Sequence, residues 1–187
     1  FASGFIRKFS NKPRDVEALA FLSLLILCFG RFVVETGESL SIAVGLGMSP
    51  IALWFITPFA GGAMLVRILL NSETALVWII GTSILLGFMM EQQALFTAFF
   101  IISGVIASAG LAHTKERVHL LRAGLQAGLL NAAAALIIRL AQEYLDNGTF
   151  LLSGAEQPLW EVGMAVLGGV FSAFLVLALT PVFEVFG

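Results

Sequence analysis

Long apolar runs separated by short polar breaks make up this chain. The runs fall at about 16–34, 50–70, 74–90, 94–112, 118–141 and 158–180. At 1.5 Å rise per residue, runs of roughly 20 residues match a hydrocarbon core ~30 Å thick, so the pattern predicts about six transmembrane helices. The apolar positions are continuous rather than alternating, which excludes a strand-built barrel. The expected fold class is therefore all-α, a polytopic integral membrane helix bundle.

The breaks carry their own signals. Residues 1–15 form a basic approach segment with Arg7, Lys8, Lys12 and Arg14 around Pro13. The stretch 35–49 is acidic and bears Gly37, Gly45 and Gly47, which reads as an outer loop with a short apolar piece at 42–46. Pro50 suits the first turn of a helix, where its missing N–H leaves no intrahelical bond unmade. Thr57-Pro58 in the middle of the second run predicts a kink, and Gly61-Gly62 just beyond it predicts flexibility or close packing. Asn71 or Ser72 is placed to cap the third helix near Thr74. Glu91-Gln92-Gln93 makes an abrupt outer turn, Asp146-Asn147-Gly148 signals another, and 142–158 reads as the second outer loop. Pro158 opens the last run, and residues 181–187 read as a junction to a cytoplasmic domain.

Composition sharpens the picture. Of 187 residues, 59% are hydrophobic and only 12% charged, with mean hydropathy +0.99; a soluble domain of this size is excluded. The single Cys28 lies in an apolar run, so no disulfide forms within the chain and no cysteine-based metal cluster is available. A net charge of -2 supplies no basic field for nucleic acid. The chain opens at Phe1, without an initiator Met or a signal-peptide pattern, and reads as an internal piece of a longer protein.

The positions of the 10 Lys and Arg residues orient the bundle. Arg7, Lys8, Lys12, Arg14, Arg67, Lys115, Arg117 and Arg122 fall on one side, Arg31 and Arg139 on the other. Basic residues beside spans stay in the cytoplasm, so both termini are expected there, with the 113–122 loop inside as well. Arg31 and Arg139 each have a glutamate four residues on, Glu35 and Glu143, placed as a same-face partner.

Candidate chemistry is sparse. Every Asp, Glu, Lys and Arg lies at or near a span end, which disfavours a proton or ion relay at mid-depth. His113 and His119 lack a carboxylate to complete a metal set, and no Ser/His/Asp constellation, His-Asp dipeptide or phosphate-cradling glycine loop occurs. Catalysis by this chain is not expected. What remains is packing: small residues four apart allow helix backbones to approach closely in lipid, and Gly104 with Ser108, Gly124 with Gly128, and Gly168 with Ser172 have that spacing. Asn131 shares the face of Gly124 and Gly128 near mid-membrane, as an interhelical hydrogen-bonding group or a contact in a bundle pocket. Gln126 cannot share that face and has no expected role.

Four features together resemble the membrane region of the bacterial seven-transmembrane HD-hydrolase family. They are the proline-containing span Pro58-Phe59-Ala60-Gly61-Gly62-Ala63-Met64-Leu65 with the turn and Ala75-Leu76-Val77 after it; the basic loop closing on Arg122-Ala123-Gly124-Leu125; Asn131; and the end Leu179-Thr180-Pro181-Val182-Phe183-Glu184, similar to a Pro-x-x-Glu junction. The resemblance implies a membrane-anchoring, signal-relaying domain of a receptor-like phosphodiesterase for cyclic dinucleotides, cyclic di-AMP among them, in the bacterial cytoplasmic membrane. It implies an extracytoplasmic sensing domain and a cytoplasmic HD domain as partners beside the lipid bilayer, and it allows a homo-oligomer. The divalent metal is expected in that HD domain, with no cofactor in this chain. Pro58, Arg122, Gly124, Gly128, Asn131, Pro181 and Glu184 are the candidate structural and relay residues, none of them catalytic. A small-molecule transporter or channel, with Asn131 and the Thr57-Pro58 break lining a path, and a structural subunit of a membrane assembly are the competing readings.

The orientation is open to a direct test. In a Cys28→Ser background, cysteines at Ser10 and Thr114 are expected to be shielded from an impermeant thiol reagent in intact cells and one at Asn147 labelled. Labelling of Thr114 but not Asn147 inverts the orientation.

Overall fold

The computed structural model describes residues 13–44, 49–90, 93–110, 117–148 and 156–186, and all its regular structure is helical. The helices are α1 Pro13–Val44, α2 Pro50–Trp54, α3 Phe59–Leu69, α4 Ser72–Met89, α5 Gln93–Gly110, α6 Arg117–Asn147 and α7 Glu156–Phe186. Five stretches are long and apolar enough to cross a membrane, α2 and α3 counting as one of them, and Ala94–Gly110 is a shorter apolar helix. Large hydrophobic side chains lie exposed along the bundle: Phe21, Leu24 and Phe32 on α1, Val77 and Phe88 on α4, Leu129 and Ile137 on α6, Phe171 and Phe174 on α7. Helices apolar on the inner and the outer face belong in lipid. The chain is a multi-pass membrane helix bundle.

α3 is its centre. Every residue from Phe59 to Val66 is buried, and α3 touches α1, α4, α5, α6 and α7. Of the most apolar part of Pro50–Leu69, 78% is buried, against 22% for α1, which therefore lies on the rim. The most extensive helix pair is α6 with α7, followed by α4 with α5.

Local chemistry sets the helix ends. Ser49 caps α2, its Oγ accepting from the Ala52 N–H at 3.3 Å, with Pro50 as the first helical residue. Asn71 caps α4, its Oδ1 accepting from the Thr74 N–H at 2.7 Å, so the cap is Asn71 and the helix begins at Ser72. Gly148, at φ 68°, ends α6 in the left-handed region that a glycine enters without strain, and its N–H donates to the Tyr144 carbonyl at 2.9 Å. Within the helices, Ser23, Thr82, Ser172 and Thr180 donate their hydroxyls to the carbonyl four residues back at 2.6–2.8 Å. That partner needs no water, which suits a hydroxyl in hydrocarbon.

Two loops expected from polar composition are partly helix, and so is the junction at 181–187. α1 continues to Val44 through most of the supposed outer loop: Arg31 pairs with Glu35 at 2.6 Å, Thr36 donates to the Phe32 carbonyl at 2.7 Å and Ser41 to that of Glu38 at 2.8 Å. Gly37 is no loop marker but the point where α1 meets α2, with Trp54 Nε1 3.6 Å from the position a Cβ would take. α6 likewise runs beyond 141 to Asn147, and α7 passes through Pro181 to Phe186, into the stretch read as a junction. At 31 or 32 residues, α1, α6 and α7 are each about 46–48 Å long, well beyond a ~30 Å core, so polar residues at their ends stand clear of lipid without leaving the helix. The basic segment 1–12, the turn residues Glu91-Gln92 and His113 to Glu116 of the basic loop lie outside the described residues, as do the side chains of His119 and Glu184.

Gly37 offers a stability test. A methyl group there meets its nearest neighbours at 3.6–3.8 Å, ordinary contact, and a helix-interior glycine costs about 1 kcal/mol relative to alanine. Gly37→Ala is expected to raise the unfolding temperature of the solubilised protein by about 2–4 °C; a lowered midpoint would mean that α1 does not approach α2 as described.

Candidate functional site

The kink expected at Thr57-Pro58 is a complete break: α2 stops at Trp54 and α3 starts at Phe59. Proline removes one backbone donor, and in hydrocarbon the groups left over need partners inside the protein. The Ile56 N–H donates to the Leu53 carbonyl at 3.1 Å, and the Thr57 N–H and Oγ1 both donate to the Trp54 carbonyl at 3.3 and 2.9 Å. Across the break the Phe59 N–H reaches the Thr57 carbonyl at 2.8 Å, and the Gly61 N–H reaches the Pro58 carbonyl at 3.2 Å.

Aromatic rings wall the break on one side. Phe55 meets Phe99 edge-on at 4.8 Å and Phe96 at 5.1 Å, Trp54 meets Phe96 at 5.1 Å, and Phe59 stacks on Trp78 at 5.5 Å and touches Phe100 at 5.3 Å. Trp78 in turn donates its Nε1–H to Ser23 Oγ of α1 at 2.8 Å, tying α4 to the rim helix. On the other side lies α7. The Phe55 carbonyl oxygen stands 2.5 Å from where a Cβ on Gly168 would sit, and the Ser172 carbonyl oxygen 2.7 Å from the corresponding point on Gly61. Both glycines therefore serve close backbone approach.

α6 lies against a second face of α7 in the same manner. A side chain on Gly124 would run into Ala173, one on Gly169 into the Gly128 backbone, and one on Gly128 would come within 2.9 Å of the Val166 carbonyl oxygen. The expected small pairs thus divide by partner: Gly124 and Gly128 pack on α7, Gly168 and Ser172 on the break and α3, and Gly104 on the side chains of Phe59 and Ile79. Arg139 reaches across to Glu161 of α7 at 3.7 Å, a buried partner that sequence spacing did not name because it lies on another helix. The available signal was Glu161 itself, an acidic residue three positions into an apolar run.

The structure therefore brings Pro58, Gly124 and Gly128 to α7 or to the break that rests on it. Asn131, 4% exposed, lies on the buried side of α6 one turn beyond Gly128, and its Oδ1 has no hydrogen-bond partner among the described residues. Trp54 Nε1 and Ser83 Oγ are buried without a partner as well. Arg122 and Gln126 are exposed, Pro181 is exposed inside α7, and Cys28 is exposed on the outer side of α1. Among the described residues no group of three His, Cys, Asp or Glu side chains is arranged to hold a metal ion, so these residues offer no donor set for a hydrolytic metal and no metal step is assigned to them.

An apolar bundle with a buried broken helix and a tightly gripped last helix defines a polytopic membrane domain. The chain belongs to the family described as 7TM receptor with intracellular HD hydrolase, which matches residues 1–186. It is similar to the cyclic-di-AMP phosphodiesterase PgpH of Listeria monocytogenes serotype 1/2a (strain 10403S), 29% identical over 181 residues that cover 94% of this chain and 23% of that protein. It is also similar to PgpH of Bacillus subtilis (strain 168), 29% identical over 143 residues, 70% of this chain and 18% of that protein. The chain thus spans under a quarter of the curated relatives it matches. No solved structure matches it.

The α6–α7 seam predicts a clear mutational contrast. Gly128→Leu is expected to destabilise the solubilised protein by about 1–3 kcal/mol, as overpacking of a close interface does. Gly81→Leu, at a helix-interior glycine with nothing within 4 Å, is expected to leave the midpoint in the same melting assay unchanged or slightly raised. Equal effects would show that the seam is not the tighter of the two sites.

Proposed function

We propose that this chain is the membrane domain of a receptor-like, metal-dependent cyclic-dinucleotide phosphodiesterase of the bacterial cytoplasmic membrane. It anchors a cytoplasmic HD domain and relays to it a signal received by an extracytoplasmic domain. The single observation that carries the relay is α7: gripped through backbone contacts by α6 and by the break, it continues as helix through Pro181 to Phe186, at the end where a junction to a cytoplasmic domain is expected. A helix held in this way transmits a displacement along its length, whereas a flexible linker would absorb it. Family membership supports the HD partner, and the two PgpH relatives support cyclic di-AMP as the nucleotide to test first.

Pro181 is the residue at which the relay is open to change. Its ring cannot donate to the carbonyl of Leu177, so the last turns of α7 carry one bond fewer than a regular helix. A bias between two arrangements reaches an attached domain only through a signal that distinguishes them. In the full-length protein, Pro181→Ala is expected to alter regulation of cyclic di-AMP hydrolysis by the outer domain while leaving the isolated HD domain untouched. The purified membrane chain, with added Mn²⁺, is expected to show no hydrolysis. Turnover by the membrane chain would overturn the division of labour; normal regulation in the Pro181 variant would remove the relay and leave the anchor.

A further inference from the structure

The glycine contacts fall into two kinds, and the difference divides the bundle. At α7 the atoms that fill glycine space are backbone or, opposite Gly124, the Cβ of Ala173, which is fixed to the backbone. The Phe55 carbonyl oxygen lies 2.5 Å from a Cβ position on Gly168, the Ser172 carbonyl oxygen 2.7 Å from that on Gly61, and the Val166 carbonyl oxygen 2.9 Å from that on Gly128. These contacts lie within two turns of α7, on two faces, one toward the break and α3 and the other toward α6. Where α1, α4 and α5 meet one another and α3, the atoms are side-chain ends. Leu86 Cδ2 fills the space at Gly30 at 2.5 Å, the Trp78 ring that at Gly62 at 2.6 Å, and Phe59 and Ile79 side-chain atoms that at Gly104 at 2.8–2.9 Å.

The two kinds respond differently to a push. A side-chain end can give way by a change of rotamer, while a helical carbonyl has no such freedom. Register also matters at the break. One turn along α7 in one direction brings Ser172 to the Phe55 carbonyl and in the other Met164 or Ala165, each with a Cβ where Gly168 has none. Packed interfaces of this kind hold one arrangement or jump to another; they do not deform by degrees. The Arg139–Glu161 pair at 3.7 Å adds a second tie between α6 and α7.

We propose that α3 with the Phe55–Pro58 break, α6 and α7 form one rigid block, and that rearrangement of the bundle takes place where α1, the rim helix, meets its neighbours through side chains. This deepens the relay reading above by naming the body that would move, and its test makes no use of hydrolysis, so the two can fail separately. In a Cys28→Ser background, spin labels are placed at lipid-facing positions of the chain in nanodiscs. The pair at Ile68 and Leu129 lies within the block, and the pair at Leu24 and Leu129 joins α1 to it; all three side chains are 42–63% exposed. Pulsed electron-spin distance measurement is expected to give a narrow distribution for the first pair and one at least twice as wide, or split, for the second. Equal widths, or a wider Ile68–Leu129 distribution, overturn the proposal. Should a labelled variant fail to fold, exposed Leu125 replaces Leu129 and Phe21 replaces Leu24, with the same two outcomes.

Discussion

A backbone interrupted inside hydrocarbon has to find its hydrogen-bond partners within the protein, and the rest of this bundle is arranged around that requirement. Pro58 stops one helix and starts another, and local bonds to the carbonyls of Leu53, Trp54, Thr57 and Pro58 take up the donors on either side. Local bonding alone would leave the break open to lipid. Phenylalanines of α5 and Trp78 of α4 close one side and α7 closes the other, which is why the most buried helix in the molecule is the short one that follows the proline.

The same constraint explains how α7 is held. Between helices in lipid there is little hydrophobic driving force, because the tails are as apolar as leucine, so association depends on dispersion contacts that grow with close approach. Glycine at Gly128, Gly61 and Gly168 gives that approach backbone to backbone, Gly124 gives it against the Cβ of Ala173, and the last helix is held in one register from two sides. The rim is built otherwise. α1 meets its neighbours through leucine, isoleucine and tryptophan ends and a side-chain bond from Trp78 to Ser23, and a large part of its surface faces outward. The proposed relay draws on this contrast between α7 and α1.

Several particular elements were legible beforehand. The six apolar runs, the membrane setting, the interruption at Thr57-Pro58, the Asn71 cap and the tight spacing of Gly124 and Gly128 all follow from local pattern and from properties of single residues. The resemblance to the HD-hydrolase receptors rested on those same stretches, and family membership agrees with it. The stretches read as loops at 35–49 and 142–158 were misjudged in part because polar and glycine-bearing sequence was taken to mean irregular backbone. Beyond the lipid boundary a helix keeps its own hydrogen bonds whatever its side chains, and Gly37 serves packing there rather than a turn.

What the chain determined by itself was which segments are helical and apolar, since hydropathy and proline act within a few residues of where they stand. Which face of each helix meets which partner was decided only in three dimensions. Gly168 and Phe55 are more than a hundred residues apart, as are Gly61 and Ser172, and Arg139 reaches Glu161 on another helix, a partner that spacing along its own helix does not name. Sequence spacing specifies angles around one helix axis. It carries no term for the rotation of one helix against the next, and that rotation is settled only when every small residue, carbonyl and ring has to share the same interior.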